Sequence, residues 1–149
     1  LLNFFKVYII MNETTDKDLR ILCRKYNIQL NGIFIADKIE IIREGNTIIN
    51  LNGNSHWTCV IKEKGKYIYF DSYGMPPTKH LEKLMEYEYD YNDEPIQAIN
   101  SSSCGFYVIA FLKFMRGKAD RRLMDLFTSF FSKEYLHNEL VLKRFLNKE

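Results

Sequence analysis

The chain carries only three cysteines, at positions 23, 59 and 104, and their wide spacing makes no disulfide framework; a reducing compartment is expected. Long hydrophobic runs are also missing. The most apolar stretch near the start, Leu1–Met11, is interrupted by Asn3 and Lys6 and is too short to cross a bilayer, so neither a signal peptide nor a spanning helix is expected. Metal ligands are sparse, with no closed four-residue zinc pattern. Strong charge of one sign is absent too: the formal net charge is +2, which on its own singles out no partner. There are no internal repeats, low-complexity tracts or linkers, and 149 residues read as one domain, 1–149, long enough to bury a proper core.

What the chain has in quantity is aromatic residues, 11 Phe and 10 Tyr, many in adjacent apolar clusters that fit a compact core. Leu1–Met11 reads as a strand or apolar arm. Thr15-Asp16-Lys17-Asp18 has the spacing of a capped helix start, and Leu19, Leu22, Cys23 and Tyr26 follow at helical intervals to about Asn27. Asn31-Gly32 reads as a turn, Ile33–Ile42 fits no single element, and Thr47–Leu51 reads as a short strand before the loop Asn52-Gly53-Asn54-Ser55. His56–Ile61 and Lys66–Asp71 form the clearest hairpin, joined by Glu63-Lys64-Gly65. Past the break at Tyr73–Pro77, a helix is expected over Thr78–Tyr89, with an acidic, aromatic surface excursion over Tyr87–Glu94 and a strand at Pro95–Ile99. Helices are then expected from Cys104, from Asp120 to Phe131 and from Glu134 to Leu146. The composite is an α+β domain, a small mostly antiparallel sheet packed with helices.

One cysteine stands apart. Cys104 follows the polar loop Asn100-Ser101-Ser102-Ser103 and begins a helix whose body, Phe106 to Met115, is almost wholly apolar. First-turn N–H groups and the positive end of the helix dipole favour a thiolate there, and Gly105 allows another chain to come close to the sulfur. Cys23, by contrast, lies on the buried stripe of its helix and reads as core.

His56 opens one strand of the hairpin and Asp71 closes the other, which puts them at the same end, away from the turn. A carboxylate at that place orients the imidazole and favours its charged form. Gln97, seven residues before Cys104, supplies an amide donor. Nucleophile, base, orienter and oxyanion donor are the four roles of a thiol protease. Trp57, the single tryptophan, follows the histidine and is expected to shield one side of its ring.

The ordered set His56-Trp57, Phe70-Asp71-Ser72-Tyr73-Gly74, Gln97 and Ser103-Cys104-Gly105 resembles the adenovirus-type maturation proteases and the wider group that includes the SUMO-deconjugating enzymes. The resemblance spans about residues 15 to 116. Gly32-Ile33-Phe34 with Asp37 is similar to a segment of the viral members, and the paired prolines Pro76-Pro77 most resemble versions from virophages and Maverick-type elements. Ser103 stands where the SUMO-directed members usually place Asp, which is nearer the viral pattern. The segment 117–149 matches no motif.

The resemblance implies a papain-like catalytic arrangement in permuted His-Asp-Gln-Cys order, with His56, Asp71 and Cys104 as the triad and Gln97 lining the oxyanion hole. It implies an endopeptidase that matures capsid and virion precursors at Gly-containing sites, in the host cytoplasm (viral factory) and the virion. No cofactor or metal is expected, no membrane partner, and a monomer. A narrow channel roofed by Trp57 would select Gly before the cut. From Lys113 onward nine Lys/Arg face five acids, so that segment is +4 and the rest −2, a modest footprint for weak contact with packaged DNA. The alternative within the same group is a deconjugase for a ubiquitin-like modifier, and outside it a silent binding module. A cysteine phosphatase would need Arg six residues after the nucleophile, where this chain has Ala110. A zinc site using His56 and Cys59 fails because they fall on opposite faces of one strand.

Overall fold

The computed structural model describes residues 13–51, 56–98 and 101–147. The expected arm at Leu1–Met11, the loop at 52–55 and the residues Ile99 and Asn100 lie outside the described residues. The first described helix, α1 (Asp16–Lys25), starts as its spacing dictates. The Thr15 hydroxyl accepts from the Asp18 N–H at 3.2 Å, and the Asp18 carboxylate accepts from the Thr15 N–H at 3.0 Å. Asn27, left-handed at φ 57°, ends the turn after it.

Five strands form one sheet in the order β1 (Leu30–Ile35), β2 (Gly45–Asn50), β3 (Trp57–Glu63), β4 (Lys66–Phe70) and β5 (Asp90–Tyr91). The centre, β2-β3-β4, is antiparallel, and a parallel strand flanks it on each side. The α+β architecture therefore stands, with a mixed sheet. The hairpin β3–β4 turns through Lys64 (φ 51°) and Gly65 (φ 76°), both positive as a type I′ turn demands, and the Glu44 carboxylate accepts from both N–H groups.

Both faces of the sheet are covered. On one, Ile48, Trp57, Cys59, Ile61, Ile68 and Phe70 pack with α1, α3 (Cys104–Met115), α4 (Arg121–Ser129) and α5 (Tyr135–Asn147). Every residue of α3 from Cys104 to Leu112 is buried, which is why its sequence shows no polar face. On the other face, Ile49, Val60, Tyr67 and Tyr69 pack with Ala36, Ile39 and Ile42 and with Leu81 and Met85 of the short helix α2 (Lys79–Leu84).

Four local expectations are corrected. Asn31-Gly32 is part of β1, where a bulge interrupts the register and the Asn31 side chain donates to the carbonyls of Arg43 and Glu44. The helix expected over Thr78–Tyr89 stops at Leu84, because Glu86 and Tyr87 both adopt positive φ (59° and 60°). The segment Tyr87–Glu94 is not simply a surface excursion: it supplies β5 and then the buried Asn92. Pro95–Ala98 is irregular, held by Ser72, whose carbonyl accepts from the N–H groups of Ile96 and Gln97.

Candidate active site

The hairpin delivers two of the four sequence-derived residues. Its register pairs Cys59 with Phe70, so continuing outward sets Tyr73 opposite His56 and places Asp71 on the diagonal. The chain turns at that point, the Gly74 N–H donating to the Asp71 carbonyl at 2.8 Å. Gly74 is required there. Its φ is +71°, and a Cβ would lie 2.6 Å from the backbone of Glu94 and Pro95. His56 Nε2 and Asp71 Oδ1 meet at 2.7 Å, with Asp71 2% exposed.

Asp71 is held on every side. Its Oδ1 also accepts from the Tyr73 N–H at 2.8 Å. Asn92, which follows β5, accepts from the Asp71 N–H at 3.0 Å and donates to the Asp71 carbonyl at 2.6 Å, continuing the β4–β5 ladder with a side chain. The Asn92 bonds fix the Asp71 backbone, and the carboxylate cannot swing away from the imidazole without giving up the Tyr73 N–H.

Cys104 arrives from the opposite direction, at the start of α3. The backbone N–H of Trp57 donates to its sulfur at 3.4 Å, which joins the cysteine to the residue after His56. Burial alone would lower the His56 pKa. The hydrogen bond to Asp71 and the adjoining Cys104 outweigh it and hold the ring at about 9, above the ordinary 6.5. With Nε2 committed to Asp71, Nδ1 is the nitrogen left for the thiol. It is buried, and Cys104 is one of the groups that raise the ring's pKa. Ser103, at the N-cap of α3, makes no capping bond; its hydroxyl goes to Glu139 instead. The other two thiols differ: burial pushes Cys23 up to about 11 despite Arg20 and Arg24, and raises Cys59 well above the ordinary thiol.

Gln97, 2% exposed, is fixed from both ends. Its Oε1 accepts from the Ser72 hydroxyl, and its Nε2 donates to the Ser101 carbonyl at 3.0 Å. That leaves one amide hydrogen beyond the bond to Ser101. Ser72 adjoins Asp71 and Ser101 lies three residues before Cys104, so Gln97 ties the acid to the cysteine loop.

Two expectations about the surroundings change. The aromatic ring stacked on the imidazole is Tyr73, with centroids 4.3 Å apart and planes 8° from parallel. Trp57 is instead buried in the core below, its indole N–H donating to the Thr14 carbonyl at 3.1 Å. The chain that comes close at Gly105 is Thr14, whose Oγ1 would lie 2.0 Å from a Cβ there. The residues that sequence reasoning missed are Tyr73, Asn92, Asn138 and Glu139. Only Tyr73 sat within a recognised motif; the other three act through contacts from 21 to 42 residues away in the chain.

Among solved structures, the fold is similar to that of the ASFV pS273R protease, with a TM-score of 0.53 over 91% of this chain and 67% of that one at 14% sequence identity. No protein-family model and no curated protein matches the sequence. At that identity the likeness concerns the fold: this α+β arrangement is one that a protease uses. Among the described residues no cluster of metal-ligating side chains is present, and no helix is long and apolar enough to cross a membrane.

Proposed function

We propose that the chain is a cysteine endopeptidase that processes viral precursor proteins, with Cys104 as nucleophile, His56 as acid and base, Asp71 as its orienter and Gln97 as oxyanion donor. The observation that carries this reading is the convergence of Asp71, His56 and Cys104, with the imidazole held at about 9 between carboxylate and thiol. The likeness to a protease fold supports it, as do the motifs and their order.

The chemistry follows from that arrangement. The Cys104 proton passes to His56, giving a thiolate beside an imidazolium that Asp71 stabilises. The thiolate attacks the substrate carbonyl, and the oxygen's developing charge is met by the Gln97 amide and the start of α3. The tetrahedral intermediate collapses as His56 returns the proton to the leaving amine, leaving a thioester on Cys104. Water, deprotonated by His56, then attacks the thioester and releases the carboxylate product and the thiol.

Capsid and virion precursors cut at Gly-containing sites, in the viral factory and the particle, are the substrates and setting that the motifs favour. Contact with DNA would be weak, since part of the basic C-terminal segment is already engaged: Lys118 with Glu63, Arg121 with Asp90 and Asp125, and Lys113 with the Phe145 carbonyl. The test is cleavage of a peptide library containing Gly-X-Gly and Gly-Gly sites, beside a SUMO-type fusion. Cys104-dependent cutting with Gly before the scissile bond supports the reading. Cutting of the fusion alone would favour a deconjugase, and no cutting of either by wild type would overturn it.

A further inference from the structure

The C-terminal helix α5, which carries no recognised motif, reaches the cysteine loop through one carboxylate. Glu139 Oε1 accepts from the hydroxyls of Ser101 (3.0 Å) and Ser103 (2.8 Å), and Oε2 accepts from Tyr107 (2.9 Å). Three hydroxyl donors on one carboxylate are charge-assisted bonds, stronger than the neutral kind. The Tyr107 phenol remains a donor, because burial and the adjoining Glu139 charge raise its pKa. One residue earlier, the buried Asn138 donates to the Ile96 carbonyl at 2.9 Å. The segment from Ile96 to Ser103 is therefore gripped near both ends by successive residues of α5.

Ser101 is where this grip meets the site. Its hydroxyl goes to Glu139, and its carbonyl accepts from both Gln97 Nε2 (3.0 Å) and the Tyr73 hydroxyl (3.1 Å). Gln97 is the oxyanion donor of the reading above, and Tyr73 stacks on His56.

We propose that Glu139 is a positioning residue: by fixing Ser101 it sets the carbonyl that aims the Gln97 amide and anchors the tyrosine over the imidazole. It touches no reacting atom. The consequence for turnover rests on the protease reading, whereas the link from Glu139 to Gln97 stands on the hydrogen bonds alone. A side chain that merely stabilised the fold would alter melting and nothing at Gln97.

The experiment compares the full chain with Glu139→Ala, Glu139→Gln and Ser101→Ala, following thermal melting, the Gln97 side-chain amide signals by NMR (assigned by their loss in Gln97→Ala) and the kinetics on a Gly-containing peptide. Glu139→Ala is expected to melt cooperatively, to shift the Gln97 amide pair and speed its hydrogen exchange, and to lower kcat about tenfold to a hundredfold with KM little changed, less than deletion of an oxyanion donor costs. Glu139→Gln, which keeps an acceptor oxygen for the serines, should recover most of both effects. Ser101→Ala, which retains the carbonyl and loses the tether along with the acceptor for the Ser103 N–H, should reproduce them, and it carries the test if Glu139→Ala does not fold. Unchanged Gln97 signals in a folded Ser101→Ala or Glu139→Ala protein would overturn the proposal. A wild type that cleaves nothing, with Gln97 still responding to Glu139, would refute the protease reading and leave the positioning link supported.

Discussion

The ring of Tyr73 lies flat on the imidazole of His56, 4.3 Å between centroids, while its hydroxyl holds the Ser101 carbonyl. A face-on phenol favours the charged imidazole through its ring quadrupole and stops the ring rotating away from Asp71. The two functions are separable. Tyr73→Phe keeps the stack and loses the hydroxyl, so the high-pH limb of the rate profile should stay in place while kcat drops modestly. Tyr73→Ala loses both, and its high-pH limb should move down by about one unit or less, the size of one such contact. An unmoved limb in Tyr73→Ala would show that the stack has no electrostatic part.

Asp71 has a narrower task. Asn at this position can still accept from the Tyr73 N–H, and the backbone bonds to Asn92 do not involve the side chain that changes. Asp71→Asn should therefore fold. It should lose up to about 10⁴ in turnover, as serine triads do when the same exchange gives the wrong tautomer. Without the carboxylate, burial prevails and the His56 pKa should fall, which an NMR titration of the ring would report. A collapse of the melting transition instead would make Asp71 chiefly structural.

The raised His56 pKa also predicts a pH window. Its folded value of about 9 exceeds the ordinary 6.5, so the folded state binds the proton more tightly than the unfolded chain. The stability this contributes is fully present below 6.5 and is lost as pH rises through about 9. Melting temperature should decline over that interval in wild type and be flatter in His56→Gln. Loss of the imidazolium should give the rate profile its high-pH limb at the same place. A limb near 6.5 would mean that Asp71 and Cys104 do not hold the proton.

How much of this was readable beforehand depended on distance along the chain. The Thr15 capping box, the Lys64-Gly65 hairpin turn and the Cys104 helix are set by neighbours three or four residues apart, and their sequence signatures were sufficient. His56 and Asp71 were paired correctly because a tight hairpin fixes its own register. Asn92 and Glu139 were hidden for the opposite reason. Each satisfies groups in another element, and a lone Asn in an acidic stretch or a Glu on a helix looks like solvated surface until its partner is known. A strand was expected over Pro95–Ile99, yet the Ile96 and Gln97 N–H groups bond to the Ser72 carbonyl and not to a neighbouring strand. Trp57 was expected over the imidazole because it adjoins His56, but side chains alternate along a strand and Trp57 faces the core.

The three thiols give the most direct check on the site, because burial does not separate them. Cys23, Cys59 and Cys104 are all buried, at 2%, 0% and 4% exposure. Access alone therefore ranks none of them as the reactive one. Environment does. Cys23 sits on the core stripe of α1 with its pKa up at about 11, and Cys59 lies inside the sheet, where burial raises its pKa well above the ordinary thiol value. At neutral pH both are almost wholly thiols, and the thiol form does not react. Cys104 instead adjoins an imidazole that favours its charged form, receives the Trp57 N–H and begins a twelve-residue helix. Brief treatment of the native protein with iodoacetamide at pH 7, followed by peptide mass spectrometry, should modify Cys104 far faster than either other cysteine. His56→Ala should reduce that rate sharply without exposing the others. Equal labelling of all three in folded protein would mean that Cys104 is an ordinary core thiol, and the nucleophile would have to be sought elsewhere.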